Sequence, residues 1–159
     1  MSVAYFIASD KPFSKNVYEY KYILDGLKAD DMWYDSKISF DETLWESEDK
    51  AIGPLFKGLY RYSIRSAAPF GFEKNLIRAD IQYYDYAKKQ IVWLKSFLKK
   101  HLKKAKTIFI VKLVLGHEND YARLRIRKID INDFNVEDRE EFLFDGNFIY
   151  QFVDNGVSV

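Results

Sequence analysis

Two histidines and no cysteine leave this chain few residues with which to do covalent or metal chemistry. His117, in the run GHEND, stands beside Glu118 and Asp120, residue types that could hold a divalent metal or orient an imidazole as a general base. Without a second histidine nearby, the competing reading is an ordinary hairpin loop. His101 flanks an apolar helical stripe, where an imidazole serves either as a ligand or base, or as a satisfied residue at the edge of the core. No glycine-rich phosphate loop, nucleophile elbow or HExxH pair occurs. The absence of cysteine removes disulfides, thiolate catalysis and cysteine zinc sites. The expectation is a protein that is not an enzyme and needs neither metal nor cofactor.

Surface recognition has more to work with. Arg61, Arg65, Arg78, Arg123, Arg125 and Arg127 alternate with apolar residues, so strands pairing in the expected way would gather them on one uncovered sheet face. Guanidinium forks on a sheet suit phosphate or carboxylate, and with tyrosines nearby they suit single-stranded nucleic acid. The plainer reading is a solvated face threaded by cross-strand ion pairs, for instance to Asp80. A second set, Asp30, Asp31, Trp33, Tyr34, Trp45 and Glu46, joins acids to large aromatics, the composition of an interface for a basic partner. Packing of those aromatics into the core is the alternative.

Charge is segregated although the formal net charge is only +1. Residues 1–50 hold 6 basic against 11 acidic side chains, residues 51–114 hold 14 against 3, and residues 115–159 hold 5 against 10. Eight of the lysines fall in KKQIVWLKSFLKKHLKKAK, Lys88 to Lys106, which has no acid. Lysine near a helix C-terminus complements the dipole, but eight exceed what one helix end requires. Trp93 and Val92 lie off the apolar stripe among these lysines, so something must cover them: the chain's own acidic first third, or another molecule.

The elements that would position these groups follow from hydrophobic spacing. A length of 159 residues and an aromatic content of 18% predict a single domain over 1–159. Val3–Ala8 reads as a buried strand, residues 18–24 as a short one, and the rest of 14–50 mainly as loop with one or two short elements. Alternation over 59–66 and again over 76–84 predicts two strands with one polar face, hence a sheet open to water on one side. Asp85 is a plausible N-cap for a helix of about 20 residues. In it Ala87, Ile91, Leu94, Leu98, Leu102 and Ala105 form one stripe. The run TIFIVKLVL predicts a central strand and pairs with ARLRIRKIDI as an antiparallel hairpin. NVEDREEFLF predicts a short helix capped by Asn135, and NFIYQFV a last strand. The fold class is α+β: a mixed or mainly antiparallel sheet with one long amphipathic helix on one face and a short C-terminal helix. No run is long and apolar enough for a signal peptide or membrane span, so a cytoplasmic location is expected.

AYFIASDK, Ala4 to Lys11, together with FLKKHLKKAKTIFIVKLVLG, Phe97 to Gly116, resembles a group of small bacterial proteins, some encoded beside polymorphic toxins. The likeness covers about a third of the chain, and the tryptophan usual before the glycine is absent from LVLG. It implies an immunity-type inhibitor that covers a basic partner such as a toxin, and it carries no functional residue across. The alternative is a nucleic-acid-binding protein using the arginine face or the lysine-rich helix, against which the acidic flanks would work by repelling a polyanion.

Overall fold

Val3–Ser9 (β1) alternates Tyr5 and Ile7 with Phe6 and Ala8, so both of its faces are apolar, and Ile7, Phe6 and Ala8 are fully buried. A strand of that kind belongs inside a sheet. In the computed structural model β1 lies between β4 (Tyr60–Ser66) and β5 (Ile108–Val114), antiparallel to both. The structure describes residues 3–15, 17–19, 37–66, 81–114, 121, 123–134, 144 and 146–156, with the backbone alone at 17, 19, 37, 66 and 81–89. The remaining elements are β2 (Val17–Glu19), β3 (Lys37–Asp41), α1 (Glu46–Ile52), α2 (Ile81–His101), β6 (Arg125–Asp130), a 3₁₀ turn (Ile131–Asp133) and β7 (Phe148–Val153). The seven strands form one mixed sheet in the order β2-β3-β4-β1-β5-β7-β6, and the class is α+β. Among the described residues only the β6–β7 pairing is parallel.

Register assigns side chains to faces. Ile7 lies opposite Tyr62 and Ile110, and this row continues into an apolar cluster with Ile38, Phe40, Ile108, Tyr150, Phe152 and the α2 residues Ile91, Leu94, Leu98 and Leu102. Phe6 lies opposite Ser63 and Val111 on the other face. That face has its own cluster, in which Phe6, Ala8, Val111, Leu113 and Ile149 meet Ala51 and Ile52 of α1 and Phe56 of the turn after it. Gly58, at φ 81°, takes the left-handed conformation where this turn swings into β4.

Three expectations are corrected. Residues 81–84 are the first turn of α2, not the end of a strand, and residues 76–80 lie outside the described residues. The spacing Ile77, Ile81, Tyr84, Ala87, Ile91 also satisfies a helical period, and extending an existing helix is cheaper than nucleating a strand beside it. The sheet is not bare on one side, because α1 and the following turn bury apolar residues against the second face. β5 and β6 are not a hairpin: β7 lies between them, antiparallel to β5 and parallel to β6. β5, apolar except for Lys112, gains a strand on each side in this way, and basic β6 is left at the edge. The short helix expected from Asn135 falls outside the described residues.

No glycine closes α2, and another part of the chain does that work. Lys104 and Ala105 N–H groups donate to the His101 carbonyl, and the next two, Lys106 and Thr107, donate to the Asp10 carboxylate at 3.0–3.2 Å. Asp10 follows β1 directly, so one side chain holds the strand's end, the helix exit and the entry to β5. Burial works to raise its pKa, but the two backbone donors and Lys11 outweigh it and hold the carboxyl below its ordinary value. Asp10→Ala is expected to lower unfolding free energy by about 1–2 kcal/mol at neutral pH, measured by urea denaturation. Stability from a carboxyl with a depressed pKa is present above pH ~4 and lost as pH falls through the folded value. The variant should therefore differ least from wild type in acid, and an undiminished difference there would rule the charge out as the cause.

Candidate functional site

The richest polar constellation surrounds α1. Glu48 is buried, at 1% exposure, and its carboxylate accepts from Ser63 Oγ at 3.1 Å, Arg65 Nη2 at 3.0 Å and the Trp45 backbone N–H at 3.0 Å. The last bond is half a capping box: the N3 glutamate reaches back to the N-cap residue, while Trp45 has no side-chain acceptor to return the favour. Arg65 also donates from Nε to Asp41 Oδ2 at 3.0 Å, and Asp41 in turn accepts from Thr43 N–H at 2.9 Å. The Thr43 bond, opposed by burial and aided by Arg65, holds the Asp41 carboxyl below its usual range. Next along β4, Arg61 donates to the Gly53 carbonyl at 3.3 Å and stands 3.8 Å from Asp49.

Beside this network opens a cleft of about 660 Å³, walled by Glu42, Glu46 and Asp49, by Tyr60 and Tyr62, and floored toward Arg61 and Leu59. Glu46 and Asp49 share one face of α1 by their three-residue spacing, and Glu46 reaches Lys50 at 3.2 Å in an exposed pair worth little. Glu42 has no ion pair among the described residues. Three carboxylates against one guanidinium make the cleft acidic. Tyr60 on its wall is 51% exposed; Trp45, between the lining residues Leu44 and Glu46 in the chain but not itself a lining residue, is 63% exposed, and its ring lies 4.7 Å from the Arg65 guanidinium. Burial lifts the Tyr62 phenol above its ordinary pKa, so Tyr62 stays a neutral wall residue that accepts from Phe13 N–H.

The structure divides the arginine set. Arg61 and Arg65 lie on the α1 face, both engaged by carboxylates. Arg125 and Arg127 pair with Phe148 and Tyr150 and so belong to the α2 face. They stand four strands away from β4, roughly 19 Å at ordinary strand spacing. Arg123 is exposed just before β6, and Arg78 lies outside the described residues. The six therefore do not form one anion surface, because β1, β5 and β7 intervene. Of the acidic aromatic set, Glu46 lines the cleft and Trp45 stands exposed beside it in the chain without lining it, whereas Asp30, Asp31, Trp33 and Tyr34 lie outside the described residues. Trp45 and Glu46 do not cover the lysine-rich helix, since α1 packs on the opposite face. Trp93 is covered from within: it stacks on Phe97 at 5.3 Å and meets Tyr18 at 6.1 Å. Glu42, Asp49 and Tyr60 are cleft residues that the sequence reading passed over, although DETLWESED had already concentrated acids around a tryptophan.

His101 is 5% exposed, with Nε2 3.0 Å from Ser9 Oγ and 3.2 Å from the Lys11 carbonyl. A carbonyl can only accept, so Nε2 carries the hydrogen and cannot take the serine's proton. Ser9, itself fully buried, also accepts from Lys11 N–H. The pair ties a turn to a helix end. His117, Glu118 and Asp120 lie outside the described residues, and among the described residues no group of three acids or histidines is placed to hold a metal. Comparison with protein-family models, with curated proteins and with solved structures gives no match.

Two outcomes test these tethers. Glu48→Ala should cost about 1–2 kcal/mol, since it takes the acceptor from a buried Ser63 hydroxyl and from a partly exposed Arg65 that keeps Asp41; a loss below about 0.5 kcal/mol would place the pair with ordinary surface bridges. Burial, aided by Lys104 and opposed by the Lys11 carbonyl and Asp10, pushes the His101 pKa below its ordinary value. The unfolded chain then takes up a proton first, so stability should decline as pH falls below about 6.5 and stop declining past the folded pKa. His101→Gln should flatten denaturation midpoints between pH 7 and pH 5, and an unchanged slope would assign the dependence to other groups.

Proposed function

We propose that this protein is a non-catalytic binding domain of immunity type, which uses the acidic cleft beside α1 to cover a basic surface on a protein partner. The observation that carries this reading is the placement of exposed Tyr60 in one cleft with Glu42, Glu46 and Asp49, with exposed Trp45 next to Glu46 in the chain. Large aromatics with two side-chain torsions give contact area at low entropic cost, and carboxylates around them select and steer a cationic partner. The network under them is already satisfied by Arg65 and Ser63, so the rim is preorganised and binding needs little reordering. In this reading α2 lies along the other face of the sheet as scaffold, and the protein works in the cytoplasm. No helix among the described residues is long and apolar enough to cross a membrane.

A second reading is supported by a separate observation. Lys99, Lys100, Lys103, Lys104 and Lys106 are exposed, and among the described residues none of them has an acidic side chain within ion-pair distance. Such a cluster suits a nucleic-acid backbone, whose binding would weaken steeply with salt.

Capture from the native cell on immobilised full chain, followed by mass spectrometry, separates the two. The first reading expects a basic protein retained by wild type, with affinity reduced about tenfold or more in Trp45→Ala/Tyr60→Ala and unaffected by Lys103→Gln/Lys104→Gln. Retention of RNA or DNA, lost in the lysine variant and indifferent to Trp45, would replace it with the second.

A further inference from the structure

β6 is the edge strand at one end of the sheet, and it runs for six residues with Arg125, Ile126, Arg127 and Lys128 all exposed. The opposite edge, β2, is only three residues long. The phase of the β6–β7 ladder is fixed by the Arg125 N–H, which donates to the Asn147 carbonyl at 3.2 Å. In a parallel ladder alternate residues of a strand bond to a given neighbour. Arg125, Arg127 and Ile129 therefore direct their backbone groups at β7, and Ile126 and Lys128 direct theirs outward. Among the described residues nothing bonds Ile126 or Lys128 on that side. Ile126 adds an apolar side chain that is 62% exposed.

An open edge with a protruding isoleucine is a template for another strand, and charge decides which strand fits. A second copy paired antiparallel through β6 would bring Arg125, Arg127 and Lys128 of both strands into one ladder, with Arg127 facing its own counterpart, a like-charge arrangement that disfavours pairing. An acidic strand meets the same three cations with opposite sign. We infer that β6 is a docking edge for an extended acidic segment of a partner protein, which adds antiparallel to the sheet through the backbone groups of Ile126 and Lys128. The pleat gives its pattern. Positions opposite Arg125 and Arg127 lie on the α2 face and take carboxylates; the position opposite Ile126 takes an aliphatic side chain, and that opposite Lys128 another carboxylate. Read from its N-terminus, the segment is Glu-Glu-Val-Glu or its aspartate equivalents. This inference is independent of the acidic cleft, which lies beyond β7, β5 and β1 and has the opposite charge.

The test is binding of the full chain to a fluorescent peptide with Glu-Glu-Val-Glu between threonines, read by polarisation and by amide hydrogen exchange. Wild type should bind it, and peptide should newly protect the Ile126 and Lys128 amides while those of Arg125 and Arg127 are already protected. Ile126→Pro removes an outward N–H at an edge position where proline is tolerated and should weaken binding by about tenfold or more, as should Arg125→Glu/Arg127→Glu. A peptide N-methylated at alternate residues, which needs no change to the protein, should fail to bind. Equal binding of the N-methylated peptide would reduce the contact to unspecific charge attraction and overturn the inference. So would absence of binding at low salt, or protection of the Ile126 and Lys128 amides by self-association without peptide.

Discussion

A carboxylate at 1% exposure must be answered by charge and hydrogen bonds, and the answer to Glu48 fixes the position of α1. Arg65 and Ser63, two residues apart on β4, point to the same face and reach the two oxygens of the same carboxylate. α1 has seven residues, too few to be stable alone. Its place on the sheet comes from this bond set and from Ala51 and Ile52 in the second apolar cluster. Once Glu48 points inward, helical geometry puts Glu46 and Asp49 where they wall the cleft. The acidity of the cleft is a consequence of how a buried ion pair orients a short helix.

The sheet order explains how a chain with almost no net charge keeps strong local fields. Acidic α1 is tied to β4 through Glu48, and the basic strand β6 is four positions from β4, at the far edge. Across the roughly 19 Å between them, exposed charges are largely screened at physiological salt. Arg61 and Arg65, the β4 cations beside α1, are matched by carboxylates, so the positive charge of the middle of the chain survives along the last turns of α2, and β6 adds its own cations at the far edge. The segregation seen along the sequence thus becomes a separation in space.

Much of this architecture could be read from spacing. The first strand, the strand over 60–66, the central strand over 108–114, the last strand and the buried stripe at Ile91, Leu94, Leu98, Leu102 and Ala105 follow from periods of two and 3.6 residues. What spacing could not supply was partnership. ARLRIRKIDI alternates in the same way whether its neighbour is β5 or β7, and the choice rests on which pairing covers β5 on both sides. Residues 81–84 satisfied both periods, and the continuing helix decided between them. The cleft was half legible: Trp45 and Glu46 stood out as aromatic beside acid, but Asp49 joins the cleft because Glu48 turns inward on the same helix, Glu42 and Tyr60 come to it from outside α1, and nothing in a one-dimensional pattern marks which glutamate of a run is the buried one.

The turn after β1 links the two halves of the molecule. Asp10 holds the exit of α2, and the Lys11 carbonyl accepts from His101. Pro12 lines the acidic cleft, and Phe13 packs on His101 at 4.3 Å and on Tyr62 at 5.0 Å while its N–H donates to the Tyr62 hydroxyl. Four consecutive residues therefore touch the helix end, the histidine and two elements of the cleft wall. Phe13, Phe97 and Phe40 fill the space between them, so a displacement at His101 has no soft layer in which to dissipate. A proton taken up by His101 goes to Nδ1 and leaves the Nε2–H bond to the Lys11 carbonyl in place, so its cost falls on the burial of the charge and not on the Lys11–Ser9 turn.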